Sequence, residues 1–453
     1  MKKELKPRDH SLLLKAFRIY LQFVNSGLYF RKEHLVSVEK VPIDGTPLVI
    51  VSNHQNCLND PLSVAMNLTD RRINFIARAN VFKNPIAARF LRKLGLLPAY
   101  RMAYDGYASV AKNRETLDAA GQALCDGESV MLFPEASHQD KRWLGTFKIA
   151  YLKIAFDAAE RFNFERDVMV LPSANHYSNY FHARTDMLIR FGDPISLKPY
   201  YDEYKAEPRA TMLKINEIVR EKIKELMLHV DDLEHYDQID FLRETGYGRK
   251  YAIEHGFNFK YLPSRLLSDQ KLVSELQKAT NEHPEEMEQI YADTAELADG
   301  LKKLGIRDWL FIRDPKWPMA LLRALGLLLL LPLFLVSIIP TGLLFLIPKI
   351  FLKAWIKDEM FYSSFHVGVS VFVSVPICFI LPIVLLWIFA GFWWALGYMV
   401  AFPFMFVLAW NYMRLFLRFK GTCIFVKRSN RNIINKLREL RTSIYERLDN
   451  LLK

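Results

Sequence analysis

Two long stretches of this chain, residues 324–348 and 360–413, contain no Asp, Glu, Lys or Arg. A helix that spans a bilayer needs about 20 apolar residues. The second stretch is long enough for two spans with a turn near Gly391. The first is long enough for one tilted span, or for a re-entrant pair broken at Pro340-Thr341-Gly342. Basic residues flank both: Lys316 and Arg323 before, Lys349, Lys353 and Lys357 between, and Arg414, Arg418, Lys420, Lys427 and Arg428 after. The bias of Lys and Arg toward cytosolic loops assigns all three flanks to the cytosol. One hairpin that dips in and one that spans twice satisfies all of them, so residues 315–420 are expected to form hydrophobic hairpins. Residues 421–453 read as a basic amphipathic helix at the same face.

The rest of the 453-residue chain is of another kind. Hydrophobic residues make up 51% overall, yet charged residues still make up 24%, so the apolar residues are segregated into a membrane part beside a soluble part. A net charge of +12 suits an anionic partner, either a phosphate-bearing substrate or an anionic membrane surface. No basic recognition helix, zinc finger or RNA-binding aromatic signature is present, so nucleic acid is not an expected partner. The four cysteines, Cys57, Cys125, Cys378 and Cys423, form no close pair and predict neither a disulfide framework nor a zinc site. A reducing compartment is the simpler reading.

Residues 1–35 read as an amphipathic helix that lies on a membrane or caps the core. Lys15 and Arg18 interrupt its apolar run, which does not fit a signal peptide. From 36 to 204 short runs rich in Val, Ile and Phe (47–53, 73–77, 129–133, 168–172 and 187–191) alternate with helical patterns. This predicts an α/β domain whose sheet is flanked by helices. From 205 to 314 the sequence turns helical and charged, a helical accessory region with solvated faces, including the strongly periodic ATMLKINEIVREKIKELMLHV.

Chemistry-bearing residues collect where the predicted strands end. His54 follows the first strand and Asp60 comes six positions later, before Pro61. Asp60 suits a helix N-cap, and the pair also suits a base with its orienter across a strand–loop–helix junction. Glu135, Ser137, His138, Asp140, Lys141 and Arg142 follow the strand that ends at Phe133-Pro134. A carboxylate and a hydroxyl there can hold a polyol. Arg101 ends the run LGLLPAYR, where a guanidinium can grip a phosphate bidentately. The fourth cluster, VLPSANHYSNY at 170–180, reads as a strand running to Pro172 and then a polar loop.

The order of these blocks resembles the glycerolipid acyltransferase superfamily: His-x5-Asp, an arginine after Gly-Leu-Leu-Pro, Phe-Pro-Glu, and a strand ending in Pro. The resemblance covers roughly residues 36–200. It departs from the common pattern twice. The family's usual first block is Asn-His-x4-Asp, whereas Asn59 stands at that position here and Asp60 follows; Ala136 stands where Gly is common after Glu. The shifted spacing, Ser137-His138-x-Asp140 and the apolar C-terminal segments resemble the fungal-type glycerol-3-phosphate/dihydroxyacetone-phosphate acyltransferases. The resemblance implies a membrane-bound O-acyltransferase that takes its acyl group from acyl-CoA or acyl-carrier protein, with neither metal nor cofactor. It further implies His54 as general base, Asp60 as its orienter, Arg101 on the acceptor phosphate and Glu135 on its hydroxyls. Ser137 would shape the pocket, with Lys83 and Arg78 as further phosphate candidates. The catalytic domain would face the cytosol beside membrane lipid. Lysophosphatidate is the alternative acceptor; a lipid-binding scaffold, an acyl-enzyme on Cys57 and a metal hydrolase using His54, His138 and His176 are rivals.

Overall fold

The computed structural model describes residues 12–100, 106–135, 141–356, 361–427 and 430–452. The chain divides into two compact units. One comprises residues up to His229 together with Ile356–Val367; the other comprises Val230–Trp355 and Gly368–Lys453.

The first unit is built on an eight-stranded sheet. Its strands are β1 (Lys32–Val36), β2 (Leu48–Ser52), β3 (Ile73–Arg78), β4 (Leu96–Ala99), β5 (Ser129–Leu132), β6 (Met169–Tyr177), β7 (Asp186–Phe191) and β8 (Ile195–Ser196). The order is β1-β7-β6-β2-β5-β3-β4, with β8 also pairing to β6. Strands β6, β2, β5, β3 and β4 run parallel, while β7 is antiparallel to β6 and parallel to β1. Helices α1 (Leu12–Gln22), α2 (Asn59–Asn67), α3 (Pro85–Lys93), α4 (Ala108–Cys125), α5 (Ala150–Arg161) and α6 (Pro208–Leu226) belong to this unit. Every residue of β2 is buried, as expected of a parallel strand covered on both faces. The five predicted strands all form; of the other three, β4 lies in the LGLLPAYR stretch, and β1 and β8 have no strong apolar run.

Strand β6 continues five residues past Pro172, where the sequence pattern predicts a polar loop. The proline is tolerated because of where its missing N–H would point. Gly192 N donates to Pro172 O at 2.8 Å, so residue 172 faces the side on which β6 changes partner from β8 to β7. No ladder donor is required there, and a strand accepts proline under that condition. The boundary expected at 204 also shifts. Met212, Ile215, Val219, Ile223 and Leu226 of α6 lie in one buried cluster with Val168 and Val170 of the sheet domain. The charged face of α6 is solvated as expected, but its apolar stripe closes the α/β core. In the turn from α3 to β4, Gly95 takes φ 84°, and a Cβ there would stand 2.8 Å from the Ile73 carbonyl oxygen.

Helix α1 supports the core-capping alternative for the N-terminal segment. Gln22 Nε2 donates to Met66 O at 3.1 Å and Arg18 to Ala65 O at 3.1 Å, while Val24, Leu28, Tyr29 and Phe30 just beyond α1 are buried.

The second unit is helical. Helices α7 (Tyr236–Glu244), α8 (Gly246–Glu254), α9 (Leu262–Glu282) and α10 (Pro284–Leu304) are followed by three helices long and apolar enough to cross a membrane: α11 (Trp317–Trp355), α12 (Tyr362–Ala390, whose first residues belong to the first unit) and α13 (Phe392–Val426). The expected break at Pro340-Thr341-Gly342 does not occur. Helix α11 runs through Pro332, Pro340 and Pro348, and Thr341 Oγ1 donates to the Ser337 carbonyl at 2.7 Å. In an apolar setting a broken helix exposes backbone groups that no water can satisfy, so continuity outweighs the proline penalty. The first predicted hairpin is therefore a single helix. It packs on α13, with Phe334 stacked on Tyr412 at 4.1 Å. The turn expected near Gly391 forms there, at φ 93°. Helix α14 (Arg431–Leu451) buries Ile434, Leu437, Ile444 and Leu448 and packs on α10. Its basic residues meet carboxylates of the same unit: Lys436 with Glu296 at 2.7 Å, Arg441 with Asp308 at 2.6 Å, and Arg447 with Asp293.

Candidate active site

The five parallel strands present their C-terminal ends at one edge, where open α/β sheets place their sites. His54 follows β2 and the Phe133-Pro134-Glu135 turn follows β5, so the topology brings the first and third sequence blocks to that edge. The loop between β2 and α2 is fastened at its start by Asn53. Its side chain donates to Asn175 O at 3.1 Å and accepts from Asn175 N at 2.8 Å, reproducing a ladder pair with β6.

Asp60 lies fully buried in the first turn of α2. It is not the N-cap, because the helix begins one residue earlier, at Asn59. Its carboxylate turns back onto the loop instead. Oδ2 accepts from His54 Nδ1 at 2.9 Å, Gln55 N at 2.9 Å and Asn56 N at 2.8 Å, and Oδ1 accepts from the Tyr177 hydroxyl at 2.8 Å. A buried carboxylate requires such a set of donors, and the helix N-terminus adds its dipole. Burial, and next the Asp60 charge, push the Tyr177 hydroxyl well above its ordinary pKa, so it stays a donor. Donation from Nδ1 to a carboxylate fixes the His54 tautomer that leaves Nε2 as the basic nitrogen. The ring is partly exposed and stacks on Phe133, centroids 4.3 Å apart and planes 21° off parallel.

Asp60, not Asn59, reaches the His54 ring. Asn59 is also fully buried, but its amide nitrogen donates to Asn56 Oδ1 at 3.1 Å and to Ser363 Oγ at 2.8 Å. The backbone N–H groups of Gln55 and Asn56, at the approach to α2, are engaged by Asp60.

Glu135 is buried, and each carboxylate oxygen accepts a backbone N–H: Oε1 from His54 at 2.8 Å and Oε2 from Gly145 at 2.9 Å. It ties the end of β5 to the histidine's own backbone. Burial raises its pKa above the usual carboxylate range, with the two N–H donors pulling the other way. Arg78, the last residue of β3, and Lys83 lie exposed at the same sheet edge. Arg101 and Ser137 lie outside the described residues. Arg142 is buried with its guanidinium 4.6 Å over the Tyr180 ring. Tyr177, Asn53 and Ser363 were not anticipated. No local signal marks them; Tyr177 reaches Asp60 only because β6 runs beside β2 in the register Ser52–Ser173. Among the described residues no group of three or more His, Cys, Asp or Glu is placed to hold a metal ion.

Residues 31–175, which hold most of this sheet and the carboxylate-held histidine at its edge, match the family described as Acyltransferase. The chain is 29% identical over 126 residues to a chloroplastic 1-acyl-sn-glycerol-3-phosphate acyltransferase of Arabidopsis thaliana, covering 28% of this chain and 33% of that protein. A chloroplastic enzyme of the same description from Brassica napus is 29% identical over 126 residues, covering 28% of this chain and 34% of that protein. The chain thus spans about a third of the length of the curated relatives it matches. The crystal structure of a 1-acyl-sn-glycerophosphate acyltransferase from Thermotoga maritima is similar at 18% identity and a TM-score of 0.35, covering 50% of this chain and 83% of that one.

Proposed function

We propose that this protein is a membrane-bound O-acyltransferase that moves a fatty acyl group from acyl-CoA or acyl-carrier protein to a hydroxyl of a glycerol phosphate. The observation that carries the reading is the His54 Nδ1–Asp60 contact of 2.9 Å, inside the segment that matches the acyltransferase family. His54 Nε2 takes the acceptor's hydroxyl proton, Asp60 stabilises the imidazolium that results, and the alkoxide attacks the thioester carbonyl. The same ring then returns the proton to the departing thiolate. Arg101 holds the acceptor phosphate, with Arg78 and Lys83 as further cations at that edge. Glu135 fixes the His54 backbone and binds the acceptor hydroxyls, and Ser137 shapes the pocket. The apolar helices anchor the protein where its lipid product belongs, with the catalytic domain toward the cytosol.

The acceptor in this reading is glycerol 3-phosphate or dihydroxyacetone phosphate, on the resemblance of the His-x5-Asp branch. Lysophosphatidate is the second reading, favoured by the descriptions of both curated relatives. Membranes containing the full chain, offered each labelled acceptor with each donor, separate the two. Turnover of one acceptor that vanishes in His54→Ala supports the reaction and names the substrate. Absence of turnover with every pairing, with folded protein verified, overturns the reading in favour of a lipid-binding scaffold.

A further inference from the structure

The histidine loop is held from a second direction by a distant part of the chain. Residues 362–367 open the apolar helix α12 yet belong to the α/β unit. Ser364 Oγ donates to Asn56 O at 2.7 Å and accepts from Asn59 N at 3.3 Å. Ser363 Oγ accepts from Asn59 Nδ2 at 2.8 Å and shares a hydrogen bond with the Tyr29 hydroxyl at 2.7 Å. Ser363, Ser364, Asn56 and Asn59 are all buried.

We propose that Ser363 and Ser364 are positioning residues for the His54–Asp60 pair, acting through Asn59 and Asn56. The chain of contacts is short. Asn56 gives its N–H to Asp60 Oδ2 and its carbonyl to Ser364, so one peptide on each side links the carboxylate to the start of α12. Asn59 is the neighbour of Asp60 in the first turn of α2; its backbone N–H is shared between the Asn56 carbonyl at 2.8 Å and Ser364 Oγ at 3.3 Å, and its side-chain amide between Asn56 Oδ1 and Ser363 Oγ. This also accounts for the shifted spacing. A residue at 59 points at Ser363 and Asn56 Oδ1, and the next residue points at His54. A carboxylate at 59 would face the Asn56 amide oxygen beside the buried Asp60 charge. Amide at 59 and carboxylate at 60 are therefore one arrangement, set by the serines. A side chain held this way fixes loop geometry, and misplacement by about 1 Å at a reacting group costs on the order of 10²-fold in rate.

The inference rests on the acyl-transfer reading, and two readouts keep the two apart. The first is kinetic, on full-length protein in membranes. Ser364→Ala and the double variant Ser363→Ala/Ser364→Ala should lower kcat by about 10- to 100-fold with the acceptor KM little changed. Ser364→Thr, which keeps the hydroxyl, should recover most of the loss. Ser370→Ala, a buried serine further along the same helix, is the control for packing loss alone and should keep its kcat. The exchange Asn59→Asp with Asp60→Asn, which recreates the family's usual spacing, should remain as slow as Asp60→Asn. The second readout needs no turnover: hydrogen exchange across residues 53–60 should quicken in the double serine variant and not in Ser370→Ala. Wild-type kcat in the double variant, recovery in the Asn59/Asp60 exchange, or unchanged hydrogen exchange at 53–60 overturns the positioning role. Loss of all turnover in the wild type would instead overturn the reaction, with hydrogen exchange still deciding the positioning.

Discussion

Replacing Asp60 with Asn tests the site with little change of shape. The carboxylate accepts four hydrogen bonds, three at Oδ2 and one at Oδ1. An amide can turn its oxygen toward Gln55 N, Asn56 N and His54 Nδ1 and donate its nitrogen to the Tyr177 oxygen, so the loop keeps its partners. What disappears is the negative charge beside an imidazole that becomes positive in the proposed proton transfer. With the charge centres about 4 Å apart and an effective dielectric near 20, that attraction is about 4 kcal/mol. At roughly 1.36 kcal/mol per factor of ten, it is worth about three powers of ten in rate. The serine-protease Asp→Asn substitution costs about 10⁴, so Asp60→Asn should lower kcat/KM about 10³- to 10⁴-fold. Asp60→Ala is the worse probe, since it orphans the buried N–H groups of Gln55 and Asn56 and the Tyr177 hydroxyl at about 1–3 kcal/mol each. The assay is initial-rate acyl transfer in detergent, paired with a thermal unfolding curve. An Asp60→Asn enzyme within tenfold of wild type at an unchanged midpoint would refute a charge-stabilising role for Asp60.

Two further outcomes follow from the same geometry. Gly95→Ala must adopt a left-handed backbone, at about 1–2 kcal/mol, with its Cβ 2.8 Å from the Ile73 carbonyl; its unfolding midpoint should fall measurably, and an unchanged midpoint refutes the turn argument. Burial raises the Glu135 pKa, so the folded protein binds that proton more tightly than the unfolded chain does. Stability therefore declines as pH rises from the ordinary carboxylate value through the raised one; Glu135→Gln should flatten that part of the midpoint-against-pH curve, and an identical curve refutes the assignment.

Sequence alone determined a good deal of this protein. Charge-free runs of sufficient length identified the apolar helices, because in lipid a single continuous segment can satisfy all its own backbone groups only as a helix. Runs of β-branched residues marked β2, β3, β5, β7 and the start of β6, and strand-end placement singled out His54, Asp60 and Glu135. Those signals are local and survive without knowledge of neighbours. The tertiary structure decided the rest. Whether Asn59 or Asp60 meets the imidazole depends on the direction in which α2 starts, which Ser363 and Ser364 help to set from some 300 positions away. Tyr177 joins the site through strand register, α6 joins the core through a stripe the sequence offers equally to solvent or sheet, and α11 runs through three prolines because its surroundings leave no cheaper place for the backbone. Hydrogen bonds between residues remote in sequence have no periodicity to announce them, so only the folded chain shows which polar groups they join.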